Sequence, residues 1–187
     1  MALLAGENPK TEKIGGVIYN MSPSPNYLHG IVNNNINTII KTSLKDSFCL
    51  VFMENLDFQY QPDVNDDYII PDIMVVCDRK KIKGGSYTGV PRFIAETLSP
   101  STSMRDLTVK KDIYEAAGVP EYWIVSPREC GVQIYYLDQG KYRLANSYIL
   151  EDDKDDEFYN AETVISLRAF PHIHMTLADI FENVYPE

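Results

Sequence analysis

Two carboxylates stand where strand-like sequence would ordinarily carry an apolar side chain: Asp72, directly after Pro71, and Glu96, between Ala95 and Thr97. A carboxylate taken out of water needs a cation or hydrogen-bond donors around it. The two lie 24 residues apart on what read as successive strands, and a loop returning to an antiparallel neighbour would set them side by side. Such a pair suits Mg2+ or Mn2+, which take oxygen ligands and are typically held by one or two carboxylates plus substrate phosphate oxygens. Phosphate chemistry there also calls for a fixed positive charge to orient water or stabilise the developing anion. Lys110 is the candidate, because Asp106, Lys110 and Tyr114 follow one another at i, i+4 and i+8 along one stripe of a helix; Lys111 is its local competitor.

Each of these residues also has a purely structural explanation. Asp72 alone would end a strand or cap a turn after proline, and only its pairing with Glu96 outweighs that. Asp106 fits a capping box with Ser103, and Tyr114 and Trp123 fit a core. His29 reads as structural. His172-Ile173-His174 puts two imidazoles on one strand face but has no third ligand nearby. The glycine-containing run from Gly84 to Gly89 lacks both the phosphate-loop ending and the nucleophile-elbow order, and reads as a flexible loop. No Ser/His/Asp or Cys/His set supports a covalent intermediate.

The elements that would hold these residues follow from apolar periodicity. A short strand over residues 14–21 ends at Ser22-Pro23-Ser24-Pro25. With Ser24 as cap and Pro25 at the first helical position, Leu28, Ile31, Val32, Ile36, Ile39 and Ile40 then recur at helical spacing. Residues 48–60 alternate as a hairpin turning at Glu54-Asn55, residues 68–77 form a buried strand broken by Pro71-Asp72, and residues 92–98 form the strand carrying Glu96. A second helix starts at Ser103, turns Val109, Ile113, Ala116 and Ala117 to the core, and stops at Gly118 and Pro120. Tyr122 to Val125 is another strand, residues 132–137 and 142–150 pair through Asp138-Gln139-Gly140-Lys141, and residues 177–184 read as a closing helix. The pattern predicts one α/β (α+β) domain over residues 1–187, with its core in about 12–137 and a C-terminal β extension with an acidic loop in 138–187.

Pro71-Asp72, then the run from Glu96 to Thr102, then Asp106, Lys110 and Tyr114, then Gly118-Val119-Pro120-Glu121-Tyr122-Trp123-Ile124-Val125, form an ordered set. This set resembles the bacterial Uma-type family of restriction-endonuclease-like proteins, within the PD-(D/E)xK nuclease superfamily; Ser22-Pro23-Ser24-Pro25 and His29 are similar to the family's early segment. The resemblance implies a mixed β-sheet flanked by helices, with an added antiparallel hairpin region, and metal-dependent hydrolysis of DNA phosphodiester bonds, with Asp72 and Glu96 as ligands of Mg2+ or Mn2+. The superfamily's usual lysine place, two residues after the second acid, is Leu98 here, so that role moves to Lys110. Ser126 stands where relatives often carry an acid. Glu12 resembles an early family acid and is a secondary site candidate, with Asp106 and Tyr114. The missing strand lysine favours a second reading: a non-catalytic nuclease-fold protein that binds protein or nucleic acid, as an oligomer presenting its sheet edge.

Composition bounds these readings. With 17 Lys+Arg against 27 Asp+Glu the net charge is −10, which opposes non-specific attraction to DNA, RNA or anionic membranes. The charge is uneven, however. Residues 151–157 hold six acids and one lysine, whereas residues 79–111 hold eight basic residues and two acids. That stretch contains Glu96 and Lys110, so phosphate contacts can be local on an acidic molecule. The expected substrate is DNA, with RNA left open. Cys49, Cys77 and Cys130 are too few and too scattered for a disulfide framework, which points to a reducing compartment. With no leader pattern at Met1 and no apolar span of membrane length, a cytoplasmic location is expected.

Overall fold

The computed structural model describes residues 10–21, 27–99 and 106–185; the proposed caps Ser24, Pro25 and Ser103 lie outside them, as does the side chain of Asp106. A hairpin of β1 (Thr11–Ile14) and β2 (Val17–Asn20) comes first, turning through Gly15 and Gly16 at φ 59° and 77°. Helix α1 (Tyr27–Ser43) follows, then β3 (Leu50–Met53), β4 (Asp57–Phe58) and β5 (Ile73–Val76). Next come β6 (Ile82–Lys83), β7 (Ser86–Tyr87) and β8 (Phe93–Thr97). A π-helical turn, Asp106–Lys110, runs straight into α2 (Lys111–Ala116). The remainder is β9 (Glu121–Ser126), β10 (Gly131–Asp138), β11 (Lys141–Ile149), β12 (Val164–Leu167), β13 (Phe170–Thr176) and α3 (Leu177–Ile180).

Six strands form the central sheet in the order β11-β10-β9-β8-β5-β3. All its pairs are antiparallel except β8 with β9, which run parallel because the chain between them crosses over through α2. Successive side chains on a strand face opposite ways, which divides the core. Ile73, Val75, Phe93, Ala95, Trp123 and Val125 meet α1 through Leu28, Val32, Ile36 and Ile40. Met74, Val76, Ile94, Tyr122 and Ile124 face Tyr114 of α2. The C-terminal hairpin β12–β13 and α3 add Ile165, Leu167, Ile173, Met175, Leu177 and Ile180 to the α1 side. A capping box at Thr176 and Asp179 starts α3.

Four expectations change. The residues 48–60 do not form a hairpin: β3 pairs with β5, and β4 pairs in parallel with β7. Glu54, at φ 52°, turns the chain out of the central sheet, and Leu56 and Phe58 are rewarded by burial in the α2-side core. In residues 68–77 only Ile73–Val76 joins the sheet, because Pro71 has no N–H to give. The residues 84–89 are not a flexible loop. Gly84 and Gly85, at φ 57° and 88°, make the turn between β6 and β7, and Tyr87 is buried.

The cysteines are the fourth change. Cys49 and Cys77 form a disulfide. They are 28 residues apart in sequence, but the β3–β5 register pairs Leu50 with Val76, so its next position sets Cys49 opposite Cys77. Cysteine usage therefore gives no support to a reducing compartment.

Candidate active site

One end of the central sheet collects most of the buried polar side chains among the described residues. The β5–β8 register pairs Ile73 with Ala95, and one further position sets Asp72 opposite Glu96. Glu96 shares the face of Ile94 and looks towards α2, while Thr97 faces α1. Asp72, Glu96 and Thr97 are all buried.

Glu96 is held from α2 and from β1. Lys110 Nζ donates to Glu96 Oε1 at 3.2 Å and lies 2.9 Å from Glu12 Oε1; the Tyr114 hydroxyl also donates to Glu96 Oε1. Glu12 in turn accepts from the Ile70 amide at 3.1 Å. Lys110 is 4% exposed, so the helix carries a buried ammonium between two carboxylates. This shifts the expected face of the helix, although Ile113 and Ala117 still pack in part against the core. Lys110 and Tyr114 point inward, whereas Val109 is 43% exposed and lines a surface groove with Ile14, Tyr60 and Ile113. The wide π-turn over Asp106–Lys110 shifts the helical phase just before the lysine. Burial, then the charge of Glu96, raises the Tyr114 phenol well above its ordinary value, so it stays protonated and donates.

Asp72 is held from α1 and from β8. His29 Nε2 lies 3.1 Å from Asp72 Oδ2, and the Thr97 amide donates to the same oxygen at 2.7 Å. Burial pushes the Asp72 carboxyl up. The His29 hydrogen bond and charge, the charge of Lys110 and the Thr97 amide outweigh it, and the net direction is down, towards the ionised form.

Three further residues complete this side. Thr97 Oγ1 donates to Asn33 Oδ1 at 2.6 Å, which turns the Asn33 NH2 towards Glu54 Oε1 at 3.2 Å and His29 Nδ1 at 3.3 Å. Glu54 is placed by its own amide, which donates to the Asp72 carbonyl at 3.1 Å. The roles of Asn33, Glu54 and Thr97 are not evident in the sequence. A signal exists for α1: His29 and Asn33, four apart, interrupt the stripe formed by Leu28, Val32, Ile36 and Ile40. None exists for Glu54, which sits in an ordinary-looking turn.

The basic stretch does not gather here. Lys110 belongs to the site, but Arg79 reaches back to the Ser47 and Phe48 carbonyls, and Lys81 and Arg92 line a hollow with Cys49 and Cys77 at the opposite end of β5. His172 and His174 lie on β13; the described residues bring only His29, Glu54 and Asp72 together as a His/Cys/Asp/Glu group with metal-ligand proximity.

A mixed sheet with a helix on each face and opposed acids at one end of its middle strands defines a restriction-endonuclease-like fold. A crystal structure from Anabaena variabilis ATCC 29413, described as "a putative nuclease belonging to DUF820", shares this fold with a TM-score of 0.69 and 19% identity, over 97% of this chain and 95% of that one. Residues 1–178 match the Uma2 family, described as "Putative restriction endonuclease", and the chain belongs to it. It is also 26% identical over 142 residues to the uncharacterized protein slr1290 of Synechocystis sp., spanning 75% of this chain and 73% of that protein. No helix among the described residues is long and apolar enough to cross a membrane.

Proposed function

We propose that this chain is an endonuclease that hydrolyses DNA phosphodiester bonds with Mg2+ or Mn2+ held by Asp72 and Glu96. The observation that carries the reading is the convergence on one sheet end of two opposed acids and a buried lysine that reaches Glu96 from α2, although Leu98 fills the usual lysine place. The donor set fits the ion: Glu12, Asp72 and Glu96 offer oxygens, and the buried Lys110 ammonium reaches Glu12 and Glu96. When bound, such an ion stabilises charge on phosphate oxygens and lowers the pKa of an attacking water. Lys110 holds a positive charge beside that position, Tyr114 orients Glu96 through its hydroxyl, and His29 and the Thr97 amide orient Asp72 and keep it ionised. A cytoplasmic location goes with a DNA substrate in this reading and rests on the substrate alone.

The test is a cleavage screen over single-stranded, double-stranded and branched DNA, and RNA, with Mg2+ and with Mn2+. Cleavage of DNA is expected, reduced at least about 100-fold in Asp72→Asn, Glu96→Gln and Lys110→Met. Absence of cutting by the wild type on every substrate overturns the reading, as does activity that survives in Asp72→Asn and Glu96→Gln. Ion binding without turnover in any variant supports the alternative, a non-catalytic binding module on the same fold.

A further inference from the structure

The end of β5 opposite the acids opens into a hollow of about 630 Å³, within the range of small-ligand sites. The Cys49–Cys77 bond lines it, with Phe48, Lys81, Val90 and Arg92. Asp72 and Glu96 stand at the other end of the strand pair. We propose that this hollow is a nucleic-acid contact separate from the acids, and that it takes one unpaired nucleotide of a DNA strand, with the base on Phe48 and the phosphate between Lys81 and Arg92.

Charge points to an anion. Five basic residues and no acid fall within residues 79–92 of a chain whose net charge is −10. Lys10, Lys13, Lys110, Lys141 and Arg143 each have a carboxylate partner, whereas among the described residues neither Lys81 nor Arg92 has one, and both are exposed. Asp78, the acid beside them, is spent on its own chain: its carboxylate accepts from the Lys80 amide at 3.2 Å and caps the 3-10 turn Arg79–Lys81. The lysine is also placed by its neighbours. A Cβ on Gly89 would come within 2.9 Å of Lys81 Cδ and 2.6 Å of Tyr87 Cζ, so glycine is what lets the lysine stem and the buried tyrosine ring pack there.

The apolar part of the hollow points to an unpaired base. Phe48 is 69% exposed, yet its backbone is pinned, because the Arg79 guanidinium donates to the Phe48 and Ser47 carbonyls. An exposed ring beside unpaired cations matches a single strand, which offers a flat base face and a phosphate in every nucleotide. A duplex hides those faces in its stack, and an acidic peptide carries the charge without the face. The choice of DNA rests on the nuclease reading. Cys77 and Asp72 are five residues apart, about 17 Å by strand rise, so a strand held in the hollow lies roughly five nucleotides of duplex rise from a phosphate at the acids.

The test needs no turnover. The full chain is titrated against a labelled single-stranded thymidine oligonucleotide at low salt, with EDTA so that nothing is cut, and binding is followed by fluorescence anisotropy. The wild type is expected to bind it at least about tenfold more tightly than a duplex of the same length or polyglutamate. Phe48→Ala is expected to weaken binding about tenfold, and Lys81→Gln and Arg92→Gln each to lower the slope of log affinity against log salt by about 0.7. All three side chains are exposed, so the variants should melt with the wild type and report on binding alone. A wild type that does not bind the oligonucleotide overturns the proposal, as does equal binding of duplex or polyglutamate, unchanged affinity in Phe48→Ala, or an unchanged salt slope in either cation variant. Oligonucleotide binding with no cutting of any substrate under Mg2+ or Mn2+ overturns the nuclease reading and leaves this contact standing; cutting without oligonucleotide binding does the reverse.

Discussion

Lys110 has given up water almost entirely, and what repays it is the pair of carboxylates of Glu12 and Glu96. Breaking such an arrangement from one side is worse than never building it, because the acids left behind lose the buried cation between them. Lys110→Met should therefore destabilise the fold by about 3–5 kcal/mol in urea unfolding. Adding Glu12→Gln to it should recover part of that loss, since one of the stranded acids is then neutral. A double variant as unstable as the sum of its parts would show that the ion pairs are not what holds α2 down. At this scale the sequence was legible where a polar residue broke an apolar pattern. Asp72 and Glu96 stand out in strands; His29 and Asn33 also interrupt a helical stripe, but His29 reads as structural there and nothing marks the role of Asn33. Glu54 and Thr97 were hidden because their environment comes from chain brought in from far away: Thr97 meets a residue 64 positions earlier.

The elements show how such residues are held. Strand β9 starts on a buried glutamate, Glu121, whose carboxylate accepts from Trp123 Nε1 at 2.9 Å and from the Arg168 amide at 2.8 Å, tying the turn between β12 and β13 to the central sheet. Burial pushes its carboxyl from the ordinary 4.5 up to about 7, against the pull of those donors. The folded state therefore holds this proton more tightly than the unfolded one. The contribution is complete below the unfolded value and is lost as pH rises through the folded value. Melting temperature should fall across that window, by an amount equivalent to at most about 3 kcal/mol. The fall should flatten in Glu121→Gln; an identical pH profile in that variant would remove Glu121 as its source. Asp72 works in the opposite direction, because its carboxyl is held below the ordinary 3.8, and its contribution is lost only in more acid solution. Elements were legible where period and punctuation agreed, as in α1, β8 and the β10–β11 pair. The phase of α2 was not, because Val109, Ile113 and Ala116 describe a regular helix and the π-turn before Lys111 is set by tertiary contacts of Lys110 and Tyr114.

For the whole molecule, the C-terminal extension is part of the core that supports α1. Ile165, Leu167, Ile173, Met175, Leu177 and Ile180 are buried against the helix that carries His29 and Asn33. A chain ended after Leu150 should lose its cooperative thermal transition in circular dichroism, and with it the alignment of His29 with Asp72. A sharp transition in that chain would show that α1 can seat on the sheet without this cover. Sequence composition anticipated an acidic molecule with a basic stretch, but linear charge could not say that Arg79, Lys81 and Arg92 would stand at the far end of β5 from Asp72.

That far end also carries the Cys49–Cys77 bond, and it acts on the near end as a ruler. From Cys49 to Glu54 and from Cys77 to Asp72 the two strands count off the same five residues from the covalent joint. An edge strand of four residues could otherwise slide along its single neighbour, and a slip of one position would turn every side chain to the other face. With the joint closed, the tally from sulfur to carboxylate is fixed, and Glu54 stays level with Asp72.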